Sequence, residues 1–212
     1  MISARDGGFK MKPVFTFDAY KTIVDCPEWD RLKQEDSDVR ELFQKFQADR
    51  ARWSIPFMAK MDEYIARGIV GAVQVPGTRE TLERLSEMGA LAVYSTATEQ
   101  SLPVLLESAG LGDLFPDTRL VIPVERLDNI PKTSPQGFRA LDMYVRGLGF
   151  MPATYTDDEA SVIMAAMESG VQFSGIQSES IGLYHLDRNS ALMTPEPKGR
   201  YHQIQTLNQM LM

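Results

Sequence analysis

The sequence predicts an α/β protein with a parallel sheet flanked by helices and a small helical insertion after the first strand. Three observations predict this fold. Residues 14–17 (VFTF) are apolar or β-prone without alternation, which is typical of a strand buried on both faces of a parallel sheet. Residues 25–75 are polar and helix-forming, and from Pro76 onward helical and strand patterns alternate. We therefore expect a core made of residues 11–24 and 76–212.

The sequence pattern of the insertion, residues 25–75, predicts a hairpin of two helices. Asp38 and Glu41 have the spacing of a capping box, which marks a helix start. Apolar residues then recur with helical spacing at Val39, Leu42, Phe43 and Phe46. Pro56 interrupts this pattern. A second amphipathic helix, ending near Gly68, is indicated by Phe57, Met61, Tyr64 and Ile65.

The rest of the core alternates between helices and strands. Strands are predicted at residues 90–94, 120–122 and 153–156. Helices are predicted to end at Gly89, Gly110 and Gly170, and another is predicted to begin at Ser134-Pro135. Apolar runs at 171–176 and 181–186 predict further strands, and Ile204, Leu207 and Leu211 predict a closing helix. Residues 1–10 show no periodicity, so we expect them to be a tail.

Composition narrows the possible functions. The chain has 212 residues, 43% of them hydrophobic and 24% charged, as in an ordinary globular protein. Its net charge of −7 argues against a nucleic acid partner. The single cysteine, Cys26, favours a reducing compartment, and no apolar run is long enough for a membrane helix. We therefore expect a cytoplasmic protein that binds neither nucleic acid nor membrane, and the oligomeric state stays open.

Polar side chains follow several of the predicted strands. These are Asp18 with Thr22 one turn further on, Ser95 with Thr96, Lys132 in the loop before Ser134, and Asp157 with Asp158. Because the carboxyl ends of parallel strands form one crevice, we expect these residues to meet there.

Each of these residue types has a role in phosphoryl transfer. A carboxylate can act as the nucleophile and form an aspartyl phosphate. A strand-end hydroxyl can hold a phosphoryl oxygen, and a lysine can offset the accumulated negative charge. Two adjacent acids offer the hard oxygen ligands that Mg²⁺ prefers.

These residues lie in motifs that resemble those of the haloacid dehalogenase (HAD) superfamily of hydrolases. The motifs are FDAYKT at 17–22, VYST at 93–96, Lys132, and TDD at 156–158 followed by AAMESG at 165–170; VPGTRETLERLSEMG at 75–89 resembles the segment before the second motif. The resemblance covers residues 17–170. It implies a Rossmann-like sheet, and it implies that residues 25–75 form a C1 cap, a mobile lid over the site.

The resemblance also implies roles for the site residues. Asp18 would be the nucleophile, Ser95 the phosphate-binding hydroxyl and Lys132 the charge clamp. For the metal, the position of the AAMESG run makes Asp158 the principal acid of the last motif, with Asp157 beside it. Mg²⁺ would then be held by Asp18, Asp158, Asp157 and the backbone carbonyl of Tyr20.

Two positions depart from the phosphatases of this family. Those phosphatases carry an acid two residues after the nucleophile, where it protonates the leaving oxygen, and this chain has Tyr20 at that position. A phenol has a pKa near ~10, and loss of a general acid commonly costs ~10²–10⁴ in rate. Lys21 stands where the usual motif has a glycine and places a cation next to the phosphate site.

The departures leave three functions open. The first is a Mg²⁺-dependent phosphohydrolase that acts on a small phosphorylated metabolite, favoured because Asp157 and Asp158 would repel Asp18 without a cation. The second is a 2-haloacid dehalogenase, because that class also has tyrosine in its first motif and its halide leaving group needs no proton. The enolase-phosphatase-like branch is another near relative, but it carries an acid at the position of Tyr20. The third is a degraded, non-catalytic binding protein, suggested by Tyr20, Lys21 and the lack of an acid at Val162.

Overall fold

The centre of the molecule is a mostly parallel sheet. The computed structural model describes residues 11–176, 182–188, 196–197 and 201–211. The strands of these residues are β1 (Lys12–Phe17), β2 (Val24–Asp25), β3 (Val73–Gln74), β4 (Ala90–Ser95), β5 (Val121–Pro123), β6 (Phe150–Asp157), β7 (Leu183–Leu186), β8 (Glu196–Pro197) and β9 (His202–Ile204). Seven of them form one sheet in the order β5-β4-β1-β6-β7-β9-β8. Neighbours from β5 to β9 pair in parallel, and β8 is antiparallel to β9, which confirms the predicted α/β sheet.

Strand β1 lies inside this sheet and is buried on both faces. Phe15 and Phe17 belong to the apolar cluster on one face, and Val14 belongs to the cluster on the other face. Strand β4 divides in the same way, with Val93 on the first face and Tyr94 on the second. This two-sided burial explains why the apolar residues of β1 do not alternate with polar ones.

Seven α-helices occur in the described residues, three in the insertion and four in the core around the sheet. They are α1 (Pro27–Glu35), α2 (Ser37–Ala48), α3 (Arg50–Ala66), α4 (Thr78–Met88), α5 (Ser101–Ser108), α6 (Pro135–Gly147) and α7 (Ala160–Glu168). Helix α6 begins as predicted, because the Ser134 hydroxyl accepts a hydrogen bond from the Gln136 backbone N–H at 3.2 Å and Pro135 occupies the first turn. None of the described helices is long and apolar enough to cross a membrane.

Residues 25–75 contain three helices, so the prediction of a two-helix hairpin was wrong. Helix α1 was not anticipated, and Pro56 lies inside α3 rather than between two helices. Pro56 has no N–H to donate to the carbonyl four residues earlier, which weakens the helix locally. The helix continues because its inner face is buried through Phe57 and Met61, and tertiary packing outweighs a local propensity.

Helix α2 begins at a different cap from the predicted one. The carboxylate of Asp36, not that of Asp38, accepts hydrogen bonds from the backbone N–H groups of Asp38 and Val39, both at 3.0 Å. The predicted capping box therefore placed the helix start two residues too late.

A short ribbon and an aromatic cluster organise the insertion. Strands β2 and β3 pair antiparallel, so that Val24 lies opposite Gln74 where the insertion leaves and rejoins the core. The rings of Trp29, Phe43 and Phe46 pack around Phe57, with the Phe46 and Phe57 centroids 4.8 Å apart, and the Tyr64 ring packs against Trp29. These contacts join the three helices to one another, and Trp29 and Phe57 belong to the same apolar cluster as Phe15 and Phe17 of the sheet.

The C-terminal part agrees only partly with the prediction. Strand β7 falls within the predicted run at 181–186, but residues 171–175 form neither strand nor helix. Ile204 lies in β9, and Leu207–Leu211 form a 3₁₀ helix, so the predicted closing α-helix was wrong. Leu207 and Met210 are buried, which explains the apolar pattern. The predicted tail, residues 1–10, lies outside the described residues.

Replacing Pro56 by alanine should stabilise the protein. Pro56 is exposed on α3, and alanine would restore the missing N–H without removing buried surface. We expect the free energy of unfolding to rise by about 1–3 kcal/mol. Chemical denaturation measures this change, and Ile55→Ala, at an exposed neighbour in the same helix, should stay within about 0.5 kcal/mol of wild type. A loss of stability in Pro56→Ala would show instead that the insertion needs the proline.

Candidate active site

Strand pairing brings the predicted residues to one edge of the sheet. Phe17, the last residue of β1, pairs with Val93 of β4 and with Thr156 of β6. The backbone N–H of Asp18 donates to the Thr156 carbonyl at 2.8 Å, which fixes Asp18 directly beside Asp157. The carboxyl end of the sheet is therefore where the two acids meet, as the sequence predicted.

Lys132 lies between two of the acids. Its Nζ donates to Oδ1 of Asp18 and lies 2.9 Å from Oδ2 of Asp157. One carboxylate oxygen from each of Asp18, Asp157 and Asp158 lies within 4.8 Å of the other two. Asp18 is 8% exposed, Lys132 5% and Asp157 1%, so these charges interact in a largely water-free environment.

The pKa values of the site reflect this crowding. Burial, together with the negative charges of Asp157 and Asp158, raises the pKa of Asp18 to about 8 even though Lys132 lowers it. Burial and the Asp157 charge raise the pKa of Asp158 to about 6. Burial alone would lower the pKa of Lys132, but the carboxylates outweigh it and hold that pKa above its usual range. Lys132 is therefore an ammonium ion.

The charges of the site do not balance. Three carboxylates face one ammonium, which leaves an excess of two negative charges when all the acids are ionised. A divalent cation would neutralise this excess, and carboxylate oxygens are the ligands that Mg²⁺ prefers. Asp158 is partly exposed, and Thr22 holds it by accepting its backbone N–H at 3.2 Å and donating to its Oδ1 at 3.4 Å. The donor set fits a magnesium ion.

Tyr155 is a member of the site that the sequence analysis missed. Its hydroxyl donates to Oδ2 of Asp157 at 2.6 Å, and the Glu159 N–H donates to the other oxygen at 2.9 Å. Tyr155 is fully buried in β6, two residues before Asp157. Because side chains two apart on a strand point the same way, the TYTD sequence carried a signal for this contact.

The Tyr20 side chain is engaged by the insertion. Its hydroxyl donates to Asp30 and accepts from Nζ of Lys33 at 3.0 Å, and both partners lie on α1. Burial and the hydrogen bond to Asp30 raise the pKa of Tyr20 well above its usual value. The phenol is therefore an even weaker acid than the sequence suggested.

Three other predicted residues, Lys21, Ser95 and Thr96, make no side-chain hydrogen bond or ion pair with the acids in the described part of the chain. Lys21 has a φ of 62°, in the left-handed region, which explains why a glycine would suit its position. Ser95 is buried and its hydroxyl accepts the Ala97 N–H at 3.2 Å, whereas Thr96 is exposed. Within residues 11–176, no hydrogen bond links Ser95 or Thr96 to Asp18.

The insertion also reaches the site through an ion pair. Arg50, the first residue of α3, pairs with Glu159, which directly follows Asp158. Both side chains are substantially exposed, so the pair contributes little to stability. The pair shows that the start of α3 lies beside the residue that follows Asp158.

Comparison with known proteins identifies the fold. No family model and no curated protein matches the sequence. Among solved structures, the L-2-haloacid dehalogenase RSc1362 is similar, with a TM-score of 0.62, 18% identity and coverage of 95% of this chain and 97% of that chain. YfnB from Bacillus subtilis, assigned as a HAD-hydrolase and bound to magnesium, has a TM-score of 0.59, 15% identity and coverage of 94% and 96%.

A protein from Thermotoga maritima assigned as a β-phosphoglucomutase has a TM-score of 0.58, 16% identity and coverage of 95% and 97%. These three similarities each extend over nearly the whole of both chains. The protein therefore has the fold of the haloacid dehalogenase superfamily.

Proposed function

We propose that the protein is a Mg²⁺-dependent phosphohydrolase that acts on a small phosphorylated metabolite through an aspartyl phosphate. The observation that carries this proposal is the buried cluster of Asp18, Asp157 and Asp158 around Lys132. It provides a nucleophile and a fixed cation, together with an excess of negative charge that suits a divalent metal. Similarity to a magnesium-bound protein of the same fold supports the proposal.

Asp18 supplies the nucleophile. Its Oδ1 is bound by Lys132, whereas Oδ2 accepts no hydrogen bond in the described part of the chain. A carboxylate oxygen forms a bond to phosphorus while the bond from phosphorus to the leaving oxygen breaks. Water then attacks the phosphorus of the aspartyl phosphate, and inorganic phosphate and the free carboxylate result. Lys132 offsets negative charge on Asp18 and on the phosphoryl oxygens in both steps.

Asp18 and Asp158 have the most accessible carboxylate oxygens for a metal, and the family resemblance adds the Tyr20 carbonyl. Bound there, Mg²⁺ would neutralise negative charge on the phosphoryl group. Thr22 keeps Asp158 oriented through its two hydrogen bonds. Ser95 at the end of β4, with Thr96 and Lys21 at the rim, would bind phosphoryl oxygens, and residues 25–75 would act as the cap that selects the substrate.

The leaving group must depart without help from Tyr20. The phenol is hydrogen-bonded to Asp30 and Lys33, and its raised pKa prevents it from donating a proton near neutral pH. Substrates whose leaving groups are stable as anions, such as aryl or acyl phosphates, therefore suit this site best.

A second candidate function is dehalogenation of a 2-haloacid. The observation that favours it is the same occupied Tyr20, because a halide departs without a proton, and an L-2-haloacid dehalogenase shares the fold. Asp18 would attack the carbon that bears the halogen, and water would hydrolyse the resulting ester. The repulsion among three buried carboxylates weighs against this chemistry unless a cation is present.

Turnover should require the Asp18 carboxylate. With an aryl phosphate and Mg²⁺ we expect measurable release of phosphate, and Asp18→Asn should reduce kcat by at least about 10³-fold because the amide is a poor nucleophile. Asp128→Asn is a matched control, since Asp128 is exposed and its left-handed conformation suits asparagine. Halide release from 2-chloropropionate that persists in EDTA would establish the second candidate instead. A protein that binds phosphate or Mg²⁺ but turns over no member of a broad panel of phosphates and 2-haloacids would be a non-catalytic binder.

Rates should depend steeply on the leaving group. Without a general acid, we expect kcat/KM for an aryl phosphate to exceed that for an alkyl phosphate of similar size by at least about 10²-fold. A series of phosphate esters with graded leaving-group pKa values measures this slope. Equal rates along the series would show that another residue protonates the leaving oxygen.

Magnesium should stabilise the protein more strongly at high pH. The pKa values of Asp18, about 8, and Asp158, about 6, lie above the unfolded value of 3.8. Their contribution to stability without metal is thus complete below about pH 4 and is lost as pH rises through 6 and 8. Ionised acids bind Mg²⁺, so the rise in Tm on adding MgCl₂ should be larger at about pH 8.5 than at about pH 5. Scanning calorimetry measures these changes in Tm, with NaCl of equal ionic strength as the control. Equal changes in Tm at the two pH values would contradict a metal site made of these acids.

A further inference from the structure

The environment of Asp157 differs from that of the other two acids. Asp157 is 1% exposed, and its carboxylate already has three partners: it accepts hydrogen bonds from the Tyr155 hydroxyl and the Glu159 N–H, and it forms an ion pair with the Lys132 ammonium at 2.9 Å. A carboxylate offers about four acceptor positions, so most of the capacity of Asp157 is used. On Oδ2, which receives both Tyr155 and Lys132, little room is left for a metal bond.

Asp158 has a more open carboxylate. It is partly exposed, and its side chain accepts the 3.4 Å hydrogen bond from Thr22. The two adjacent acids of the sequence are thus separated by the strand end into a buried, occupied carboxylate and an accessible one. The two carboxylates therefore suit different roles, and Asp158 is the one that can accept a metal.

We propose that Tyr155 is a positioning residue whose hydroxyl fixes Asp157 as the partner of Lys132, so that Asp18 and Asp158 hold the cation and Asp157 does not. This inference rests on the proposed phosphohydrolase function. It assigns Asp157 to holding Lys132 against Asp18, which differs from the metal role that the sequence suggested. The chain of contacts runs from Tyr155 through Asp157 and Lys132 to the nucleophile.

The protein contains a matched control for the Tyr155 hydroxyl. Tyr94 is also fully buried, and Lys132 Nζ lies 5.6 Å from its ring centroid and 5.8 Å from that of Tyr155. The Tyr94 hydroxyl, however, has no hydrogen-bond partner among the described residues. Tyr155→Phe and Tyr94→Phe each remove one oxygen from a buried ring beside Lys132, but only the first breaks a contact to Asp157.

Magnesium affinity tests the assignment of the acids without any turnover. In titration calorimetry with MgCl₂, Asp158→Asn should weaken the affinity for Mg²⁺ by at least about tenfold. Asp157→Asn and Tyr155→Phe should each weaken it by less than about threefold. Equal weakening in Asp157→Asn and Asp158→Asn would overturn the inference, as would a wild-type protein that does not bind Mg²⁺. If Asp157→Asn does not fold, Tyr155→Phe still tests the inference, because phenylalanine keeps the shape of the buried ring and removes only the hydroxyl.

The state of Lys132 tests the positioning role directly. In protein labelled with ¹⁵N-lysine, the Lys132 ammonium signal is identified by its loss in Lys132→Arg. Tyr155→Phe should shift this signal and speed its hydrogen exchange by about tenfold, the size expected for losing one hydrogen bond to a charged group. Tyr94→Phe should leave it unchanged, and the same response in both variants would overturn the inference.

Kinetics separates this inference from the proposed function. Tyr155→Phe should lower kcat for an aryl phosphate by about tenfold at constant KM, whereas Tyr94→Phe should have no effect. An unchanged kcat in Tyr155→Phe would overturn the positioning role. If the wild-type protein shows no turnover but the calorimetry and the lysine signal behave as expected, the proposed function fails and the assignment of Tyr155 and Asp157 stands.

Discussion

The ammonium group of Lys132, buried between the carboxylates of Asp18 and Asp157, is the interaction on which the arrangement of the site depends. Ionised groups in a protein interior are costly unless they are paired and hydrogen-bonded. Here the strands β1 and β6 bring two acids together, and the loop before α6 brings the lysine between them. Without Lys132 the same strand pairing would place like charges in contact, so the sheet register and the lysine position are mutually dependent.

The parts of the site that the sequence could predict follow from the sheet. Strands of a parallel sheet end at one edge, so the order of strands and polar residues along the chain was enough to place Asp18, Lys132 and Asp158 together. Contacts that depend on tertiary packing could not be predicted in this way. Asp30 and Lys33 bind Tyr20 from a helix that the periodicity did not resolve. The position of Pro56 inside α3 likewise reflects packing of the insertion, which no local propensity encodes.

Tyr20 connects the loop after the nucleophile to the insertion. In place of an acid that would face a leaving group, the chain has a phenol hydrogen-bonded to α1. Lys21 follows in a left-handed conformation, and its carbonyl accepts a hydrogen bond from Arg188, which also pairs with Asp25. The segment beside Asp18 is therefore held by contacts both to the insertion and to the residues that follow β7. The geometry of the nucleophile and the position of α1 are consequently linked.

The antiparallel ribbon of β2 and β3 has a consequence for how such a chain can evolve. Because Val24 and Gln74 face each other, the two ends of the intervening segment are separated by only about 5 Å, a gap that a two-residue turn can bridge. The length of the intervening segment can therefore change without altering the pairing of the sheet strands, but a replacement must keep the contact of Trp29 and Phe57 with the apolar cluster of the sheet. A lineage that changes this segment must therefore keep the apolar face that meets the sheet and the contacts of α1 to Tyr20, while the outer surface of the segment is free to vary.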